Sequence, residues 1–310
     1  MSVSPLGASS PRRRVCSASL PIASAIALLC GLAASSASAQ AATGGGSFIA
    51  RYQARVTATQ NEQPHWITPL VTVTPRLEQE FRADFVHQST TNGLHNWTLG
   101  NGKGLEIIPA RRIELLFNVP PFISHEGAAQ TSDGFGDVSF NSKFRFFARN
   151  EEHGNAIVTG FFAGSIPTGK HGNGGCCAVV TPTLAVGKGW GRISFTSTAG
   201  GSLPVTNAAE LGHAVIWNTA GQYHVAGRGL GRFFWPEVES NASFFLGGAN
   251  DGKATTYLTP GIIIGRIPLT HPQGDRRGRL GLTFGAGEQI AVTHFHRMNH
   301  KLVITVRMPF

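Results

Sequence analysis

Residues 137–146 read DVSFNSKFRF, and the fold turns on how this stretch is read. Val138, Phe140, Phe144 and Phe146 occupy even positions, whereas Asp137, Asn141, Lys143 and Arg145 occupy odd ones. Side chains of a strand point alternately to its two faces, so the segment is a strand with one aromatic face and one polar, charged face. The same period of two recurs upstream: Leu77, Phe81, Ala83 and Phe85 oppose Glu78, Glu80, Arg82 and Asp84, and Ile113, Leu115 and Phe117 oppose Arg112, Glu114 and Asn118. Downstream it returns at about 156–166, 178–188, 191–199, 213–225, 232–246, 255–268, 279–291 and 300–310. In the last of these, KLVITVRMPF (301–310), Leu302, Ile304, Val306, Met308 and Phe310 stand against Lys301, Thr305 and Arg307, with Val303 the exception. Eleven such segments are separated by Gly, Asn, Asp and Pro clusters that turn a chain. No convincing helical period follows residue 39, so the expectation is an all-β protein.

Composition limits what these strands can build. Glycine supplies 39 of 310 residues and charged residues only 14%, against about 25% charged in ordinary soluble domains. Residues 1–39 have the form of an export leader: Arg12, Arg13 and Arg14, an apolar run from Leu20 to Ala34, then Ala37-Ser38-Ala39, with cleavage expected after Ala39. Its removal lowers the net charge from +9 to +6. The remaining cations are scattered singly, which argues against nucleic-acid binding. No later stretch approaches the ~20 apolar residues of a membrane-spanning helix. Cys16 and Cys30 leave with the leader, and the adjacent Cys176 and Cys177 form either a strained vicinal disulfide or two thiols.

Amphipathic strands in this number suit either a soluble sandwich or propeller with its apolar face inward, or an outer-membrane barrel with that face outward. The polar face decides between them. It carries sparse charges of both signs among Gly, Ser, Asn and Gln, which suits a confined lumen better than bulk water. Aromatics gather near strand ends, as in Phe146-Phe147, Phe233-Phe234-Trp235 and Phe244-Phe245, where membrane interfaces require girdles. The expected fold is therefore an antiparallel, up-and-down transmembrane β-barrel of the bacterial outer membrane with about 12 strands and both ends on the periplasmic side. Long connections after 118, 166, 199, 246 and 291 alternate with short ones after 148, 188, 225 and 268. An even count needs one more strand, sought at 48–58 or 65–74, and residues 88–103 then become a long periplasmic turn. The domain plan is a leader (1–39), an N-terminal segment that includes a candidate first strand (40–64) and the barrel (65–310).

Read in order, TPRLEQEFR (74–82), DGFGDVSFNSKFRF (133–146), IPTG (166–169), TPGIIIGR (259–266), GAGEQIAVT (285–293) and the terminal VRMPF resemble the outer-membrane barrel family named for the MetA pathway of phenol degradation. The resemblance spans roughly residues 65–310. It implies a transmembrane barrel linked by name to uptake of aromatic or other hydrophobic compounds. Phe310, closing an alternating strand, also looks like the signal by which the barrel assembly machinery recognises its clients.

The lumen-lining candidates are Glu78, Glu80, Arg82, Asp84, Arg112, Glu114, Asp137, Lys143, Arg145, Glu237, Glu239, Arg266 and Arg307. Mixed signs on shared faces favour ion pairs that fill or narrow a small lumen over acid/base catalysis. His294, His296 and His300 in THFHRMNH (293–300) fall in an outer loop with no carboxylate or Cys nearby in sequence, and are expected to hold no metal. IPTGKHGNGG (166–175) lacks the GKS or GKT ending of a phosphate-binding loop, and there is no GxSxG elbow. No catalytic residue and no cofactor is expected. The sequence thus points to a channel for passive uptake of small solutes. A plugged barrel with a structural or ligand-binding role is the alternative, and an outer-membrane lipid-modifying enzyme is less favoured. The expected partners are outer-membrane lipid, the barrel assembly machinery and a small-molecule solute.

Overall fold

Twelve antiparallel strands close on themselves in a computed structural model that describes residues 47–100, 103–127, 131–170, 172–225, 227–269 and 280–310. The proposed leader and its cleavage site lie outside the described residues. The strands are β1 (Glu80–Thr90), β2 (His95–Leu99 and Gly104–Ala110), β3 (Ile113–Asn118 and Phe122–Glu126), β4 (Gly134–Phe135 and Val138–Arg149), β5 (Ala156–Ile166) and β6 (Val179–Trp190). They continue as β7 (Ile193–Pro204), β8 (His213–Tyr223), β9 (Phe234–Leu246), β10 (Ala254–Pro268), β11 (Gly281–Ala291) and β12 (Met298–Pro309). Each strand pairs with its sequence neighbours. The ring closes where β12 meets β1, with Glu80 opposite Pro309 and Ser89 opposite His300. Closure removes the free edges that an open sheet would present.

The end carrying Glu80 and Pro309 is called the near end, the other the far end. Alternation along each strand sorts side chains as the sequence indicates, with the usual inside and outside exchanged. Phe81, Phe85, Phe117, Phe144, Trp190, Phe195, Trp217, Phe284 and Met308 are exposed on the outer face, while Glu80, Arg82, Asp84, Glu114, Lys143, Arg145, Glu237, Glu239 and Arg307 are buried inside. In β12, Leu302, Ile304 and Met308 point out, and Thr305 and Arg307 point in. The exception, Val303, is also inside and buried, in register with Val86 of β1 and Gly287 of β11.

Three expectations about the upstream third need correction. The additional strand is β2, whose first part lies in the stretch 88–103 expected to be a long periplasmic turn and whose second part follows directly after it; both parts pair with β1. Residues 48–58 form no strand but lie in α1, a helix over Phe48–Asn61, capped by the Ser47 side chain, which accepts from the Ala50 N–H at 3.3 Å. Tyr52 and Val56, one turn apart, pack on Leu77 and Ile108. Residues 65–74 are no strand either: they run through the barrel interior. The alternation of loop lengths is also imperfect, since the near-end connections 224–233 and 269–280 are as long as those at the far end.

Candidate functional site

The segment from Gln63 to Gln79 crosses the near half of the lumen, and its peptide groups join no strand ladder before Gln79, whose carbonyl accepts from the Phe310 N–H. Buried N–H and C=O groups must be satisfied, and here the barrel wall does it with charge. Glu237 accepts from the Leu70 N–H at 3.0 Å, and Glu239 accepts from the N–H groups of Val71 (2.8 Å) and Thr72 (2.5 Å). Arg307 donates to the carbonyls of Thr68 (2.5 Å) and Pro69 (2.7 Å), and Arg82 donates to that of Leu70. Thr159 donates to Pro75 O at 2.6 Å, and Lys143 to Arg76 O at 3.2 Å. These are charge-assisted or buried bonds, the stronger kind.

Side chains of the segment fit the wall as closely as its backbone does. A methyl group added at Gly261, Gly285 or Gly287, on adjoining strands β10 and β11, would come within 2.5 to 2.7 Å of the Leu70 methyls. Leu70, 1% exposed, therefore sits in a cradle that only glycines can line. Gly187 of β6 leaves the same kind of room for the Trp66 ring, 2.8 Å from its absent Cβ. Within the segment, Gln63 both accepts from the Leu77 N–H (2.9 Å) and donates to the Leu77 carbonyl (2.8 Å), closing a loop on itself. Above Thr72 lies a belt of neutral polar side chains: Asn241 donates to Asn218 (3.1 Å), Asn218 to Thr198 (3.2 Å), and Gln289 to Asn241 (2.8 Å). The inner face beyond it, with Thr181, Thr183, Ser202 and Ser243, is partly exposed.

At the near end α1 lies across one side of the mouth. Arg55 donates to Pro109 O (2.6 Å), and Arg145 donates to Thr59 O (2.8 Å) and Glu62 (2.9 Å), which also meets Arg111. On the other side a cavity of about 1260 Å³ remains, lined by Tyr52, Trp66, Arg232, Phe233, Trp235 and Arg266 among others. His224 stacks on Trp235 there, with ring centroids 4.1 Å apart. In the near-end turn, Glu151 accepts from the His65 N–H at 2.6 Å and pairs with its ring Nδ1 at 2.6 Å. Partial burial raises the Glu151 pKa, but the two bonds from His65 outweigh it and hold the carboxyl down at about 2.

Most predicted lumen residues are therefore inside: Glu78, Glu80, Arg82, Asp84, Glu114, Lys143, Arg145, Glu237, Glu239 and Arg307. Some do pair with one another, as Lys143 with Glu114 and Arg82 with Asp84, both at 2.8 Å. Three lie elsewhere. Arg112 is exposed in the turn between β2 and β3. Arg266 lines the near-end cavity, at an irregularity in the pairing of β10 with β11. Asp137 lies at the far end between the two parts of β4, where it accepts from the N–H groups of Gly169 (2.9 Å) and Gly175 (2.7 Å), so that GFGD and IPTG form one unit. His300 does have a carboxylate nearby, Glu288 at 3.0 Å, and the His296 ring is held between Thr293 O and Asn299. Sequence reading missed Glu106 and Gln79, both buried, and the whole set of segment-to-wall bonds.

No family model and no curated protein matches the chain. Among solved structures it is similar to an outer membrane channel from Pseudomonas putida F1, at 17% identity and a TM-score of 0.55, covering 79% of this chain and all (100%) of that one. It is also similar to the NanC porin, at 10% identity and a TM-score of 0.47, covering 74% of this chain and 98% of that one. At these identities the likeness is one of fold.

Two outcomes test the seating of the segment. Gly285→Ala places a methyl 2.6 Å from Leu70 and is expected to destabilise the protein by about 1–3 kcal/mol. Adding Leu70→Ala should recover part of that loss in urea unfolding from phospholipid vesicles; strict additivity would place Leu70 elsewhere. Because the Glu151 pKa lies below its ordinary value of 4.5, its bond to His65 stabilises fully above that value and is lost as pH falls through about 2. The stability advantage of the wild type over Glu151→Gln should therefore be constant at neutral pH and shrink to nothing across that acid window.

Proposed function

We propose that the protein is an outer-membrane channel for small solutes whose permeability is set by the segment 63–79 seated in its lumen. One observation carries this reading: a polar, partly exposed far half of the lumen ends on a segment held by hydrogen bonds and one leucine cradle, with no strand pairing to fix it. Such an attachment can exchange between seated and displaced arrangements, and solute passage would follow the displaced population. The outward aromatic and aliphatic band supplies the lipid contact. Export by the leader and recognition of Phe310 by the barrel assembly machinery belong to the same reading. The link to aromatic or hydrophobic solutes rests on the family resemblance and on the aromatic lining of the near-end cavity, whose volume of about 1260 Å³ exceeds that of a typical small-molecule pocket, ~300–1,000 Å³. No catalytic step is part of this function.

The number of bonds on residues 68–72 favours a second reading, a barrel permanently plugged in a structural or binding role. Conductance in planar bilayers separates the two. Glu237→Gln combined with Glu239→Gln removes charge from the acceptors of three segment N–H groups, and a channel governed by the segment should conduct more, and with more noise, than the wild type. A permanent plug gives no current in either protein. The membrane placement has its own test: Phe144→Arg should cost roughly 2–4 kcal/mol of stability in vesicles, whereas Asn141→Ser on the inner face should stay within about 1 kcal/mol. Equal responses would contradict the assigned faces.

A further inference from the structure

We propose that Cys176 and Cys177 are a redox modification site, in which the two thiols close reversibly into a vicinal disulfide and thereby release the far-end connection 167–178 from Asp137. The Sγ atoms already lie 3.0 Å apart, with Cys176 exposed and Cys177 buried. The pair sits at a joint. On its N-terminal side, Gly169 and Gly175 donate to the two oxygens of Asp137, the His125 ring and Asn173 Oδ1 are 2.6 Å apart, and Asn173 donates to Ser132 O at 2.8 Å. On its C-terminal side, Ala178 O accepts from Val205 N at 2.9 Å and β6 begins. The dithiol therefore links a connection folded over the β3–β4 loop to the rigid wall.

The chemistry needs only a disulfide donor, a small-molecule or protein disulfide of the oxidising compartment to which exported proteins go. The thiolate of the exposed Cys176 attacks that disulfide, forming a mixed disulfide and expelling one thiolate. The thiolate of Cys177 then attacks Cys176 Sγ, forming the intramolecular bond and expelling the second. Two thiols are oxidised, one external disulfide becomes two thiols, and two protons leave the protein. The product is an eight-membered ring containing the Cys176–Cys177 peptide, and it cannot keep the torsions of the open pair. The required rotation falls next to Gly175, whose N–H is held by Asp137 together with that of Gly169. Strained disulfides are the readily reduced ones, so the change reverses under mild reductant. This inference is independent of whether the lumen conducts.

The test uses the full chain in detergent micelles, reduced and then exposed to oxidised glutathione. The tryptic peptide 171–188 is weighed, and amide exchange at Gly169 and Gly175 is followed. The expected result is loss of two hydrogens from the peptide with no lasting glutathione adduct, restoration by dithiothreitol, and faster exchange at the Gly175 amide in the oxidised form. Cys177→Ser should stop at one lasting adduct on Cys176. Unchanged peptide mass, or two lasting adducts on the wild type, overturns the site; oxidation without any change at Gly175 overturns its coupling to Asp137.

Discussion

A segment of chain that enters a barrel without joining its sheet must find partners for every buried peptide group, and this requirement organises the whole near half of the molecule. Water would satisfy those groups only in a wide pore. Here Glu237, Glu239, Arg82 and Arg307 take the place of water, aiming carboxylates at N–H groups and guanidinium groups at carbonyls of residues 68–72. Leaving one such group unsatisfied costs roughly 1–3 kcal/mol, so the wall charges and the segment depend on each other. Removing the segment would strand the charges as surely as removing the charges would strand the segment.

That dependence explains an otherwise odd distribution of residue types. Among the described residues, buried polar and charged side chains, Thr and Glu foremost, outnumber buried hydrophobic ones, and the large exposed ones include Phe, Leu, Ile and Trp. An ordinary globular domain reverses this. Much of the charge on the inner face is matched by an opposite partner, as Lys143 is by Glu114, or by a peptide group of the segment, as Glu239 is by Val71. Glycine has a structural reason as well: three of them on β10 and β11 leave the hollow that Leu70 occupies. Above the segment Thr198, Asn218, Asn241 and Gln289 are linked in a neutral belt, beside which Lys301 of β12 stands in register with Gln289.

The barrel was legible because period two survives wherever one strand face meets water or polypeptide and the other meets an apolar surround. The strand expected at 156–166 coincides with β5, and the aromatic face of 138–146 is the outer face of β4. β2 was illegible because its alternation fails: Gly100, with a φ of +80°, breaks it, and Ile107 and Ile108 put apolar residues on both faces, the second to meet Val56 and Leu77. Of the large apolar residues of the helix α1, Phe48 and Ile49 are exposed while Tyr52 and Val56 pack on Leu77 and Ile108, too short a run to establish a helical period. The seated segment, rich in Thr and Pro, offers a candidate strand at 65–74, but no local pattern distinguishes a strand from extended chain held by side chains of the wall. Glu237 and Arg307 are buried, but no local pattern says that their partners are backbone groups some 170 to 240 positions away. Asp137 was misplaced for a related reason, since its partners, Gly169 and Gly175, are also peptide groups.

Control of the lumen by the seated segment, the proposed function, can be tested by fastening that segment in place. Thr72 and Asn241 face each other, 3.4 Å apart from Oγ1 to Nδ2, so Thr72→Cys with Asn241→Cys, in a background with Cys176 and Cys177 changed to Ser, would fasten segment to wall. The most direct measurement is the current through a single reconstituted molecule before and after that bond is reduced. The account predicts the lowest current while the bond is closed and a rise when it opens. A current indifferent to the bond, or a pair that never forms one, would contradict it.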